Sequence, residues 1–384
     1  MNNKEAIVLL DFKGNVNSTK LDARSRHFTY GKRLQEQTLE KPLKLIVVSR
    51  GGESRSDFSD LVDFYDINCS RIHFVKFIVS GIRVIRRRGY STKVIVCGDP
   101  WESFLLGKIF QILLRVKSKL QLQVHADISD INWRNSSFRN WVRSNFHRYA
   151  FNHCDQVRVV SKTLQNYVGS ISTNTNIVVI PVPIVVPDNL TKDVSESSEL
   201  LKIGFFGRLQ KDRGTDDLIK IAMNLNSYRQ DFELYIAGKG SEENYLRKNL
   251  TQTIGERRIN FLGQLKQSEV WKKLAQLDIY LSLAPSESYG LGIREAIISG
   301  VPVLAVHSNG ALEAQSQFGI ETVKFIDSAI SGDSLSKILD DVLAKGYVRI
   351  SSQEIRQQNL SLIDDLVDAW IDLARSSVNS TSLD

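Results

Sequence analysis

Two hydrophobic rhythms alternate along the chain. Compact runs rich in β-branched residues occur at Ala6–Leu10, Leu43–Val48, Val94–Cys97, Leu122–His125, Val157–Val160 and Ile177–Ile180. They predict buried strands, because a parallel sheet covered on both faces needs nearly continuous apolar strands. Between them, apolar positions spread to helical spacing around Arg26–Gln37, Ser103–Lys117 and Phe138–Phe151. The rhythm then stops. Pro181, Pro183 and Pro187 are followed by the polar stretch Asp188–Glu199, which predicts a linker. A second series of strands is expected at Lys202–Phe206, Glu233–Ala237, Ile259–Leu262, Ile279–Leu283 and Val303–Val306. Ile363, Leu366, Val367, Trp370 and Ile371 share one face of a final helix within Ile355–Ala374, which reads as a packing helix. Strand–helix alternation of this kind predicts an α/β protein with two doubly wound, Rossmann-like domains. The expected division is 1–187, a linker at 188–200, a second domain at 201–354, and a helix and tail at 355–384.

Composition changes this picture little, but charge adds to it. At 384 residues, 42% apolar and 24% charged, the chain has enough material for two ordinary cores. No apolar run reaches the length of a spanning helix. The run after Met1 reads as a first strand and is too short for a signal peptide. Cys69, Cys97 and Cys154 have no paired spacing, which fits a reducing, cytoplasmic setting. Residues 1–187 carry 28 Lys and Arg against 15 Asp and Glu, and the remainder carries 22 against 28. A basic first half is either a solvated surface or a face for an anionic partner, a membrane or a phosphorylated acceptor. Arg83, Arg86, Arg87 and Arg88 cluster, and the Ser103–Lys117 helix is rich in Phe, Leu and Ile. They mark where peripheral contact with the inner face of an anionic membrane would fall, the alternative being a domain helix with a charged outer stripe. No nucleic-acid motif accompanies the charge, so no nucleic-acid partner is expected.

The chemistry concentrates in the second half. In the segment from Leu281 to Ala305 a strand runs into a turn holding Glu287, Ser288, Tyr289, Gly290 and Leu291, and a helix opens near Gly292. Gly300 ends that helix and Pro302 leads into the next strand. Ligands of doubly wound sheets bind at this end of the strands, and a helix N-terminus there favours phosphate. Glu287 and Glu295 flank the turn with seven residues between them. Carboxylates accept hydrogen bonds from ribose or hexose hydroxyls; equally, Glu295 could complement the helix dipole and Glu287 could be solvated. A second strand–loop–helix unit carries Gly207, Arg208, Arg213 and Gly214. Paired guanidinium groups suit a departing diphosphate. Gly238-Lys239-Gly240 follows a third strand, where a base or ribose could rest. There is no Asp-x-Asp at a strand end and no cluster with metal-ligand spacing, so no metal is expected.

Together these segments resemble the retaining glycosyltransferases of family 4, which have the GT-B fold. The match lies in the Glu–seven residues–Glu pattern, in Gly207-Arg208-Leu209 with Arg213 standing where Lys is usual, and in the Gly-x-Gly after the next strand. The resemblance covers most of residues 201–313 and is looser before them. It implies two Rossmann-like domains facing a cleft. It further implies that Glu295 holds the ribose, that Glu287 holds the sugar, that backbone N–H groups near Gly290 and Leu291 contact phosphate or sugar, and that Arg208 and Arg213 neutralise the diphosphate. In the first half, Val124-His125-Ala126-Asp127 resembles the family's His-bearing loop facing the donor sugar. Gly14, Arg26 and His27 fall where the acceptor would enter, though an ordinary helix start also explains the last two.

The activity this implies is transfer of a hexose from a nucleotide sugar to an acceptor hydroxyl on a glycan or lipid-linked saccharide, with retention, in making cell-surface polysaccharide or glycolipid. No cofactor is needed beyond the nucleotide sugar as co-substrate. A sugar-nucleotide 2-epimerase of the same architecture and a non-catalytic sugar-nucleotide-binding protein remain alternatives. A nicotinamide-dependent oxidoreductase fits less well, since neither half has Gly-x-Gly-x-x-Gly after its first strand.

Overall fold

The computed structural model describes residues 4–17, 21–51, 55–70, 72–135, 137–174, 176–187, 200–345 and 351–379. The expected linker lies, save for Leu200, outside the described residues. By internal contacts the chain divides into two units, each built on its own parallel sheet. The first comprises the described residues within 1–129, 137–181 and 360–384, and the second those within 130–136 and 182–359.

In chain order the first unit's strands are β1 (Lys4–Asp11), β2 (Leu43–Gly51), β3 (Arg55–Phe58), β4 (Val62–Asn68), β5 (Tyr90–Cys97), β6 (Lys119–Val124), β7 (Gln156–Val159) and β8 (Ile177–Val179). The helices up to this point are α1 (Leu21–Gln37), α2 (Phe74–Arg87), α3 (Glu102–Leu114), α4 (Ile131–Asn135), α5 (Phe138–Asn152) and α6 (Lys162–Ile171); the short α4 groups with the second unit. The sheet runs β3-β4-β2-β1-β5-β6-β7-β8, parallel except for β3 against β4. The run of buried residues from Ala6 to Leu10 makes β1 its centre.

The sequence pattern misses β3 because its four residues, Arg55 to Phe58, are mostly polar, and β4 because Asp63 and Asp66 interrupt its apolar run. Both carboxylates are buried but paired. Asp66 accepts from Arg24 at 2.7 Å, and Asp63 meets Lys44 at 3.3 Å and the Tyr90 hydroxyl at 2.9 Å. Strand β6 starts earlier than expected and stops at Val124, so His125 lies just beyond it. Its polar residues are also buried: the Gln121 amide donates to Gln156 at 2.6 Å. Helix α3 ends before the expected Lys117 because Arg115 takes the left-handed conformation, with φ 54°.

The second unit continues with β9 (Leu201–Phe206), β10 (Phe232–Ala237), β11 (Ile259–Gly263), β12 (Ile279–Ser282), β13 (Val303–Ala305) and β14 (Val323–Phe325). Its helices are α7 (Thr215–Asn226), α8 (Glu243–Ile254), α9 (Gln267–Leu274), α10 (Leu291–Ile298), α11 (Asn309–Phe318) and α12 (Gly332–Ala344). The sheet is wholly parallel in the order β11-β10-β9-β12-β13-β14. Strand order reverses between β9 and β12, which makes their C-terminal ends the switch point where such sheets leave a crevice.

The last helix, α13 (Ser352–Asn379), gives Ile355 to a core cluster of the second unit and Ile363, Leu366, Val367 and Trp370 to the core of the first. Trp370 is fully buried, packs edge-on to Tyr30, and its indole N–H donates to the Gln121 side-chain oxygen Oε1 at 2.8 Å. Replacing it leaves a cavity and an unpaired buried amide. Trp370→Ala is therefore expected to cost about 3–5 kcal/mol, read by urea denaturation; a loss below about 1 kcal/mol would show that α13 does not hold the first core together.

Candidate functional site

A cavity of about 280 Å³ opens at the switch point of the second sheet. Phe206, Gly207 and Arg208 bring the end of β9 to it, Leu283 and Ala284 the end of β12, and Gly290 to Ile293 the start of α10. Arg213 and Glu287 complete the wall.

Each wall is shaped by a close backbone approach. Gly290 has φ +69° and starts α10 without a side-chain cap, so the first-turn N–H groups carry no capping oxygen. Gly214 has φ +80°, and a Cβ there would come within 2.2 Å of the Leu283 carbonyl oxygen. The 3-10 turn bearing Arg213 can thus lie directly against the end of β12. The Gly-x-Gly loop serves a similar end. A Cβ on Gly238 would fall 1.7 Å from the Gly207 carbonyl oxygen, and one on Gly240 1.9 Å from that of Leu209. These glycines let two loops pack backbone to backbone, with the Leu209 amide donating to the Lys239 carbonyl at 3.1 Å.

The charged groups are arranged around one ion pair. Arg213 Nη1 donates to Glu287 Oε2 at 2.7 Å, while Arg213 Nε is buried with no acceptor. The other Glu287 oxygen accepts from the Gly290 amide at 3.4 Å, and the Glu287 carbonyl accepts from the Gly310 amide at 2.6 Å. Arg208 reaches Gln210 at 2.8 Å. Burial first, and then the neighbouring Arg213 charge, lowers the Arg208 pKa, although a guanidinium stays protonated at neutral pH. Two like charges at a partly desolvated wall are a standing repulsion that an anion would relieve. Beneath them Tyr280, its pKa raised by burial and by Glu295 and Glu287, donates to the Phe206 carbonyl at 3.0 Å.

The structure thus brings Gly207, Arg208, Arg213, Glu287, Gly290, Leu291 and Gly292 to one cavity. It places Glu295, Ser288, Tyr289, Gly238 and Gly240 behind or beside it. Glu295 is buried on α10 and accepts from the Gln267 amide at 2.6 Å. Tyr289 is buried under Arg294, whose guanidinium carbon sits 3.8 Å from the ring centroid. Sequence reasoning missed Arg294. It is 2% exposed, donates to Gln317 at 3.1 Å and to the Gly310 carbonyl at 3.4 Å, and so ties the Glu287 loop to α11. A charged residue between Ile293 and Glu295 gives no signal of such burial.

In the first unit, the loop after β1 carries Gly14 at φ +76°, where a Cβ would meet the Arg50 carbonyl oxygen at 2.4 Å. Asp11 holds this loop through the amides of Gly14 at 3.1 Å and Val16 at 2.7 Å. His27 is buried in α1, donates from Nδ1 to the Ala23 carbonyl at 2.7 Å, and has its pKa pushed down to about 4, chiefly by burial. His125 sits 3.2 Å from the Gln123 side-chain oxygen. The residue is exposed, yet the groups packed around its imidazole and the charges of Arg158, Lys13 and Arg26 push its pKa down, so it is neutral at pH 7. Arg26 is therefore electrostatic company for His125 as well as for His27. Lys13 was adjacent to a singled-out glycine; Arg158, buried in β7, left no sequence signal.

Known proteins resemble this chain in sequence and in fold. Residues 188–358 match the family of glycosyl transferases group 1. A UDP-N-acetylglucosamine–peptide N-acetylglucosaminyltransferase GtfA subunit of Streptococcus pneumoniae is 28% identical over 193 residues, 48% of this chain and 37% of its own. A GDP-mannose-dependent monoacylated alpha-(1-6)-phosphatidylinositol monomannoside mannosyltransferase of Corynebacterium glutamicum is 31% identical over 145 residues, 36% of this chain and 38% of its own. The chain therefore spans less than half the length of these curated relatives. Among solved structures, sucrose-phosphate synthase from Thermosynechococcus elongatus superimposes with TM-score 0.66 at 14% identity, covering 98% of each chain. Anabaena Alr3699/HepE in complex with UDP and glucose gives 0.59 at 15% identity, over 98% of this chain and 99% of that one. The fold is GT-B, and residues 188–358, a little under half of the chain, match the glycosyl transferases group 1 family.

Proposed function

We propose that the protein transfers a hexose from a nucleoside-diphosphate sugar to an acceptor hydroxyl, with retention at the anomeric carbon. The observation that carries this reading is the cavity in which Arg208, Arg213, Glu287 and the uncapped start of α10 converge. A diphosphate supplies what that wall lacks: negative charge between two guanidinium groups, acceptors for the first-turn amides, and an acceptor for Arg213 beyond Glu287. Acceptance from the sugar hydroxyls is assigned to Glu287, which is held on both sides, and acceptance from the ribose to Glu295. His125 is proposed to donate to a sugar hydroxyl as a neutral imidazole. Gly14, Arg26 and His27 are assigned to the acceptor side.

In the reaction, the bond between the anomeric carbon and the diphosphate oxygen breaks, and the electron pair leaves with the diphosphate. The acceptor oxygen bonds to the anomeric carbon on the same face, and its proton passes to the departing phosphate oxygen. Arg208, Arg213 and the amides of α10 stabilise the charge that builds there. We assign this neutralisation to the arginines, so EDTA should leave turnover unchanged. The named relatives use UDP-N-acetylglucosamine and GDP-mannose, so nucleotide and hexose are left open here. The acceptor is proposed to be a glycan or a lipid-linked saccharide, in the assembly of cell-surface polysaccharide or glycolipid.

Glu287→Ala and Arg208→Ala should each lower kcat about 10²–10³-fold with the circular dichroism spectrum kept. Normal turnover in both, an inverted anomer by NMR, or isomerised donor without an acceptor would each contradict the proposal. Arg294→Met should keep the fold but loosen the Glu287 loop, lowering kcat/KM about tenfold. An unchanged kcat/KM would reduce Arg294 to a packing residue.

A further inference from the structure

Three neighbouring helices of the first unit turn apolar side chains outward. In α3, Phe104, Gly107 and Phe110 are buried, Gly107 against Cys97 and Leu120, while Leu105, Ile112 and Leu113 lie exposed on the other side, Ile112 by 73%. A helix that is apolar on both faces is stable where both are covered. In α5, Phe138, Trp141 and Val142 share one exposed face at helical spacing, and the Phe138 and Trp141 rings stack at 5.8 Å. The start of α2 adds Phe74, Val75 and Val79. The three helices are joined side by side. The Arg86 guanidinium of α2 donates to the Leu113 carbonyl of α3, and Glu102 of α3 pairs with Arg139 and Arg143 of α5 at 2.6 Å.

The surroundings of this face are cationic. In the first unit, residues 72–129 and 137–151 carry 13 Lys and Arg against 3 Asp and Glu. Of the three, Asp99 and Asp127 are buried and Glu102 is held by its two arginines. Exposed Arg83, Arg87 and Arg115 border the apolar side chains. Among the described residues no helix is long and apolar enough to cross a membrane.

We propose that this α2–α3–α5 face docks on an anionic lipid bilayer. The aliphatic and aromatic side chains enter the boundary between headgroups and acyl chains, and the arginines and lysines meet anionic headgroups. A second copy of the chain fits the face less well, since pairing it with itself sets like charges against each other. The proposal rests on exposure and charge in the first unit and is independent of the transfer chemistry.

The test is sedimentation of the full chain with vesicles of phosphatidylcholine alone and of phosphatidylcholine mixed with phosphatidylglycerol, at low salt and without donor. The chain should pellet with the mixed vesicles and not with the neutral ones. Arg83→Gln with Arg87→Gln should weaken partitioning roughly twenty-five-fold, about fivefold per charge near an anionic surface. Phe138→Ser with Ile112→Ser should weaken it at least as much. Because all four positions are exposed, circular dichroism should be unchanged; if the apolar pair misfolds, the arginine pair decides. Equal binding to both vesicle types, binding to neither, or wild-type binding by the arginine variant would overturn the proposal. So would a concentration-dependent dimer that Phe138→Ser abolishes.

Discussion

The contact between Arg213 and Glu287, 2.7 Å long, is the interaction around which the second unit's site is organised. It joins the loop after β9 to the loop after β12 across the sheet's switch point. Neither loop could approach the other without glycine. Gly214 lets the arginine-bearing turn sit on Leu283, and Gly290 lets the backbone turn sharply into α10. The ion pair is about a quarter exposed and open to solvent screening, so its contribution to stability is modest. Its consequence is positional: a carboxylate, two guanidinium groups and a helix start face one small volume. Arg294 extends that order by one layer, stacking on Tyr289 and holding Gly310, whose own amide holds Glu287.

The two units use one architecture for different surfaces. In each, the loop after the first strand is fixed by a glycine at positive φ near the switch point, Gly14 in one and Gly214 in the other. In the first, the groups gathered there are a neutral His125 among cationic neighbours. In the second, they are guanidinium groups with a carboxylate. A departing diphosphate needs cations, and a sugar hydroxyl needs a neutral donor or a carboxylate acceptor. The chemistry of the second surface thus suits the proposed diphosphate.

Much of this was legible in the sequence. The apolar runs located every strand of the second sheet except β14, which has three residues and lies at an edge. They failed at β3, whose residues are mostly polar, and at β4, where buried Asp63 and Asp66 are satisfied by distant bases that no local pattern reveals. The two glutamates and two arginines were visible through spacing and resemblance. What spacing could not show is that Glu287 and Arg213 pair with each other, that Glu295 is engaged by Gln267, and that Gly238 and Gly240 serve loop packing. The buried Arg294 and the outward apolar stripe of α5 were equally hidden, since both depend on which side of a helix the core lies.

The central claim is that the switch-point cavity holds the phosphates of a sugar nucleotide. Thermal unfolding of the full chain with UDP-, GDP- and ADP-sugars tests it most directly. At about a hundred times the dissociation constant, the matching nucleotide sugar should add roughly 2.7 kcal/mol and raise the Tm by roughly 5–10 °C. The free hexose should leave the Tm unchanged, and Arg213→Gln should abolish the shift. No shift with any nucleotide sugar, or an equal shift from the free hexose, would contradict the account.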